Sequence, residues 1–299
     1  MKIGLFYENV TVLDYAYLDE HLGVVGDALT IGVEFTGETD EEGVVYDFSH
    51  AKKKVKEIID RDCDHRLVIP RGITQFADGE ITLNYKYGFS DNRIEYRCPE
   101  QGVCEIPYAQ VNLANLQAFL EERVLQEMPE TVCSVRLELK KETLTDSHSF
   151  FHYTHGLKEH YGNCQRLFHG HRNTVEVFIN GNRNPEIERE FAHNLFSSNI
   201  HFCYWENVVN KEEIIDLIKD ESPLGRYENL PPVEIEYESS QGNFWGSVPG
   251  EAVYFMQTET TVENLSIHFT QLVKQRVGKN DIVSVKAFEG IKKGARTTL

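Results

Sequence analysis

The segment NCQRLFHGHRNTVEV, residues 163–177, sets one cysteine and two histidines at the threshold of an alternating apolar run. On a strand, residues two apart share a face, so His169 and His171 point the same way. Gly170 between them leaves room for another backbone to approach. A third imidazole from a neighbouring strand would complete a three-histidine site with an open fourth position, the arrangement of catalytic zinc. His155, in FHYTHGL on the preceding predicted strand, is the natural third ligand, with His152 and His160 as rivals. Six of the twelve histidines fall between residues 148 and 171, which concentrates the question there. The competing reading is a set of surface or hydrogen-bonded histidines without metal, and spacing does not separate the two. Cys164 is likewise either a reagent or a buried thiol. A free thiol near pKa ~8.5 is a poor base at neutral pH, and a nearby cation or metal lowers that value.

The elements that must position these residues repeat along the chain. FHGHRNTVEVFING (168–181) aligns with VVGDALTIGVEFTG (24–37), matching Gly170 to Gly26, Val177 to Val33 and Gly181 to Gly37. QVNLANLQAFLEERV (110–124) resembles ETTVENLSIHFTQLV (259–273). Both have apolar residues at helical spacing, and both precede a β-rich segment, SVRLEL or IVSVKAF. In the first half VLDYAYLD and ALTIGVEF read as a strand pair. DFSHAKKKVKEIID (47–60) reads as a helix, with Asp47 or Ser49 at its N-cap and Val55, Ile58 and Ile59 on its apolar face. EITLNYKYG and NRIEYRC form a hairpin turned at FSDN, and VEIEYESSQGNFWGSVPGEAVYFMQ is its longer counterpart. Antiparallel strands with segregated helices make the fold class α+β. The polar stretch 140–149 divides a unit over 1–145 from one over 146–299.

Bulk properties exclude several classes. At 299 residues the chain has room for two domains. The net charge of −18 argues against nucleic acid as partner, since phosphate binding needs a basic face. No apolar run approaches a membrane span, and MKIGLFYENV lacks a signal-peptide pattern, so a cytoplasmic protein is expected. The six cysteines include no CxxC pair and read as free thiols.

Taken in order, Phe151 to His171 (F-x-x-x-H-G-L, G-N-C, L-F-H-G-H) resembles the zinc signature of the 6-pyruvoyl- and 6-carboxytetrahydropterin synthase family. GETDEEGVVYDFSHAKKKVKEIIDRDCDHRL (37–67) is similar to the family's D-F helix and its following D-H motif. TTVENLSIHF (260–269) resembles its P-T-x-E-N-L-A segment, and VSVKAFEG (283–290) its closing V-x-V-x-E strand. The Cys164-to-HGH spacing is one residue longer than the carboxy-forming pattern.

The resemblance implies two tandem tunnelling-fold repeats, each an antiparallel sheet with helices on one face, oligomerising into a β-barrel with interfacial active sites. Two chains would build a four-unit barrel, or three chains two stacked three-unit rings. The motifs are divided between the halves. The first keeps Asp64-His65 but has Val25 and Asp27 at the positions of His169 and His171, and Leu139 where the second has Glu289. The second keeps the histidines, Cys164 and Glu289. A composite site, within one chain or between two, is expected.

By resemblance, Zn2+ sits on His155, His169 and His171, Cys164 is the general base, and Asp64 orients His65 as proton shuttle. Glu289 would accept two N–H bonds from the pterin edge. Glu263 and Thr261 would contact substrate, with helix capping as the alternative. Arg172 would either hold phosphate or face solvent. The implied reaction converts 7,8-dihydroneopterin triphosphate to 6-carboxy-5,6,7,8-tetrahydropterin, toward queuosine and other 7-deazapurines. The alternatives are 6-pyruvoyltetrahydropterin formation and a non-catalytic pterin- or purine-binding barrel.

Overall fold

The computed structural model describes residues 2–88, 92–143 and 149–299. The first half runs β1 (Ile3–Asp19), β2 (Gly23–Gly37), α1 (Phe48–Asp62), β3 (Leu67–Pro70), β4 (Thr74–Ala77), β5 (Glu80–Lys86), β6 (Arg93–Pro99), β7 (Val103–Ile106), α2 (Leu113–Leu125) and β8 (Val132–Lys141). The second continues with β9 (Phe151–His155), β10 (His169–Asn173), β11 (Val175–Ile179), β12 (Asn182–Arg183), α3 (Pro185–Glu190), β13 (Asn199–Tyr204) and α4 (Lys211–Ile218). It closes with β14 (Val233–Ser239), β15 (Gly242–Val248), β16 (Val253–Met256), α5 (Val262–Lys274), β17 (Val283–Phe288) and β18 (Gly294–Thr298). The expected helix at 47–60 is α1, capped by the Asp47 carboxylate, which accepts from Ser49 N and His50 N. Most of the FSDN turn and half of the 140–149 boundary lie outside the described residues.

The strand order of the first sheet is β7-β3-β1-β2-β8. In the second half β16-β13-β9-β10 follows the same order, and the chain steps from β10 into β11, which pairs with β17. The strand senses also agree, with parallel β1–β3 and β3–β7 matched by parallel β9–β13 and β13–β16. A further sheet, β14-β15-β6-β5-β4, is shared between the halves through the pairing of Trp245 with Arg97 and Gly246 with Tyr96.

Period-two alternation along β1 sorts its side chains into two cores. Leu13 and Tyr15 join Val55, Ile58 and Ile59 of α1 and Leu116, Leu120 and Val124 of α2 on the helix-covered face. Ala16 and Leu18 face a core that includes Phe168, Trp205, Phe244 and Phe255 of the second half. α5 covers the second half's own sheet through Leu265, Phe269 and Val273. Among the described residues no helix is long and apolar enough to cross a membrane.

The halves touch most closely at the matched glycines. A Cβ on Gly26 would lie 2.0 Å from Tyr153 O and 2.6 Å from His171 N. One on Gly170 would lie 2.3 Å from Tyr153 O and 2.7 Å from Gly26 Cα. These obstacles are backbone atoms and cannot step aside. Gly170→Ala is therefore expected to destabilise the chain by about 1–3 kcal/mol or more, read as a lower urea midpoint.

Candidate active site

β9 and β10 pair antiparallel with His155 opposite His169, Gly170 opposite Thr154 and His171 opposite Tyr153. This register puts all three imidazoles on one face, where each is fully buried. His155 Nδ1 donates to Thr260 O at 3.0 Å, and His169 Nδ1 donates to Arg166 O at 2.9 Å. Those bonds fix the tautomers and leave Nε2 of each ring as a lone-pair donor. The Nε2 atoms of His155, His169 and His171 are buried with no hydrogen-bond partner among the described residues. One ligand atom from each of the three lies within 4.8 Å of the others. Burial, reinforced by neighbouring imidazoles, holds His155 and His169 far below the usual histidine range, so both are neutral. Three converging buried nitrogens would cost ~1–3 kcal/mol each if left unpaired. A bound metal relieves that cost, so the residues fit one.

The rivals point elsewhere. His152 Nδ1 donates to Gly26 O at 2.6 Å, on the opposite face of β9, and His160 Nδ1 accepts from Gly162 N at 3.2 Å in an exposed turn.

The first half supplies the surroundings. His171 Nδ1 lies 3.2 Å from Asp14 Oδ1, and Lys293 Nζ lies 2.8 Å from Asp14 Oδ2. Burial would raise the Asp14 pKa, but His171 and then Lys293 outweigh it and bring the carboxyl down to about 2. Asp64 Oδ1 accepts from Asp14 N at 3.0 Å, and His65 N donates to Asp14 O at 2.7 Å. His65 takes a left-handed backbone, φ +56°, just beyond α1. Its Nδ1 meets Asp64 Oδ2 at 2.5 Å, and its ring stacks on His169 with centroids 5.2 Å apart.

Cys164 sits half-buried in a short 3-10 turn, Asn163–Gln165. One ligand atom each of Cys164, His65 and His169 lies within 4.8 Å of the others. Burial lowers the His65 pKa, but Asp64 and Cys164 overcome it and push the imidazole up to about 10. Asp64, His65 and Cys164 thus meet within one chain although the cysteine is in the other half. The two potential metal sets share His169. The three-histidine set is the fully buried one, whereas His65 already holds Asp64.

Glu289 Oε1 lies 3.7 Å from His155 Nε2, at the rim of the same centre. Thr261 is the N-cap of α5 and accepts from Asn264 N. Glu263 is exposed in that first turn, where a carboxylate suits the helix dipole. The α5 contact to the histidines comes instead from Thr260. Arg172 is half-buried over the Phe150 ring and donates to Glu142 O, away from the centre.

Residues 26–144 match the family model described as 6-pyruvoyl tetrahydropterin synthase. The chain carries a domain of that family. The tetrahydropterin synthase family is one of lyases, and this domain contains Asp64 and His65. Two relatives have the name putative 6-carboxy-5,6,7,8-tetrahydropterin synthase. The one from Pyrococcus abyssi is 21% identical over 44% of this chain and 78% of its own. That from Pyrococcus horikoshii is 23% identical over the same shares. Among solved structures, a catalytic-residue mutant of Plasmodium vivax 6-pyruvoyltetrahydropterin synthase is similar at TM-score 0.38 and 16% identity. It covers 47% of this chain and 92% of its own. The Plasmodium falciparum enzyme is similar at TM-score 0.34 and 16% identity, over 48% and 98%.

In the first half, the place corresponding to the three histidines is filled differently. Tyr17 pairs with Val25 as His155 pairs with His169, and buried Asp27 stands at the position of His171. Ile31 pairs with Leu139 and its counterpart Val175 pairs with Ala287, so Lys141, and not Leu139, corresponds to Glu289. Lys141 Nζ lies 2.7 Å from Asp27 Oδ2. A lysine–aspartate pair thus occupies this half's equivalent of the centre.

Asp14, Lys293, Thr260 and Arg166 were not anticipated from the sequence. Asp14 gave a signal, an acid between Val12-Leu13 and Tyr15-Ala16 on β1. The other three carried none, because their contacts depend on how the halves pack.

Proposed function

We propose that the chain is a zinc-dependent lyase acting on 7,8-dihydroneopterin triphosphate, with 6-carboxy-5,6,7,8-tetrahydropterin as product. The observation that carries this reading is a cluster of three orphaned imidazole nitrogens, His155, His169 and His171, beside Cys164 and His65, the two groups sharing His169. His155, His169 and His171 would hold the ion. When bound, zinc supplies Lewis acidity that makes protons next to the side-chain hydroxyls easier to remove. Cys164 Sγ takes a substrate proton as general base. His65, held by Asp64, relays protons on the same side as Cys164. Glu289 accepts from the amino-pyrimidine edge of the pterin and fixes the ring beside His155. Thr261 and Glu263 act on the helix end, with Thr260 orienting His155.

Each half supplies what the other lacks, which supports a tandem duplication into units 1–145 and 146–299 with one composite site per chain. Chains of this kind would assemble into a barrel whose further walls come from neighbouring copies.

The relatives named as 6-carboxytetrahydropterin synthases favour that product, and the 6-pyruvoyl product is the second reading because the family model has that name. Incubation of zinc-loaded protein with dihydroneopterin triphosphate separates them. Release of acetaldehyde with a 6-carboxy product mass is expected. A 6-pyruvoyl mass without acetaldehyde supports the second reading, and zinc binding without turnover overturns both.

A further inference from the structure

Arg166 is 5% exposed, yet among the described residues none of the hydrogen-bond acceptors around its guanidinium is a carboxylate. Nη1 donates to Asp64 O at 2.9 Å and to His65 O at 3.4 Å. Nη2 donates to Asn163 Oδ1 at 3.0 Å, and Nε to Gln241 Oε1 at 3.1 Å. Its own carbonyl accepts from His169 Nδ1. Gln241 Nε2 closes the array by donating to Asn163 Oδ1 at 3.0 Å and Gly162 O at 3.3 Å. One side chain therefore grips the Asp64-His65 backbone of the first half and the turn carrying Cys164 in the second. Its main chain meanwhile orients a metal-type histidine. Only a planar fork with several fixed donors spans these acceptors together, and an ammonium group has neither the reach nor the plane. A buried cation with no carboxylate in hydrogen-bond contact among the described residues is costly, so stability alone gives it little reason to be there.

We propose that Arg166 is a positioning residue that sets the placement of His65 against Cys164 and so joins the two halves into one site. This rests on the lyase reading for its catalytic consequence but not for its geometry.

The test uses the zinc-loaded full chain as wild type, Arg166→Met, Arg166→Lys, His65→Ala and the Arg166→Met/His65→Ala double variant. The first readout is the rate at which iodoacetamide alkylates Cys164, followed on its own peptide by mass spectrometry. The second is kcat and KM on the pterin triphosphate, with thermal melting as the folding control. Arg166→Met is expected to shift the alkylation rate to that of His65→Ala, and the double variant to match His65→Ala alone. kcat should fall about 10- to 100-fold with KM nearly unchanged, as for other residues that orient ligands from behind. Arg166→Lys, which keeps the charge, should show the same decoupling with a near-normal melt and so covers the case of a poorly folding methionine variant. A wild-type alkylation rate in Arg166→Lys and Arg166→Met, or an effect that adds in full to that of His65→Ala, would overturn the proposal. If no variant, wild type included, turns over substrate, the lyase reading fails and the alkylation cycle still decides the role of Arg166.

Discussion

Cys164→Ala is expected to lower kcat by about a thousandfold, the scale of a lost general base, while zinc content and melting temperature stay near wild type. The side chain is half-buried in a 3-10 turn whose backbone is held independently, with Leu157 N donating to Cys164 O at 2.9 Å. Trimming sulfur from that turn removes no core packing comparable to a buried leucine. His65→Ala should cost a similar factor, because Asp64 and Cys164 hold its imidazole at the same point. If the two act as a unit, the double variant should lose little more than either single one, the behaviour of residues in one proton pathway. Steady-state kinetics on the four proteins reads this directly. Losses that multiply in full would show two independent roles.

The second large effect is loss of the metal. His171→Ala is expected to abolish stoichiometric zinc and with it turnover, measured by metal analysis after gel filtration. Chelation of wild-type protein should lower its melting temperature, because an ion that binds only the folded chain stabilises it. At a hundredfold excess over the dissociation constant that stabilisation is about 2.7 kcal/mol. The removal strands three buried nitrogens that have no hydrogen-bond partner among the described residues. Asp14→Asn should weaken zinc binding about 10- to 100-fold, since Asp14 lies behind His171 and Lys293 holds Asp14. Zinc should appear once per chain, because the first half has Tyr17, Val25 and Asp27 in place of the ligands and Lys141 beside Asp27.

Much of this centre was readable where it depends on local period. HGH on a strand fixed the common face of His169 and His171, and the antiparallel neighbour offered His155 directly opposite. His152 was excluded only by register, which turns it to Gly26 on the other face. The α1 cap and the helix over 47–60 were legible because Asp47 and the spacing of Val55, Ile58 and Ile59 act within one element. Register across the halves was not. The match of Leu139 to Glu289 slipped because residue alignment does not count strand partners, whereas the ladder places Lys141 there. Thr261 was singled out where Thr260 makes the contact, since capping and second-layer support lie one residue apart. Arg166 stayed invisible because Asp64 O, His65 O and Gln241 Oε1, which its guanidinium meets, all lie 75 or more residues away in sequence.

On the composite-site proposal, one chain completes one site from its two unlike halves. Coexpression of Cys164→Ala and His65→Ala chains under separate tags, followed by purification on both tags, tests it most directly. Each chain then carries one defect, so a site built within a chain predicts activity no higher than that of either variant alone. Recovery of about half of wild-type kcat per chain in a two-chain assembly, where one of the two sites draws an intact Cys164 and an intact His65 from different copies, would contradict it.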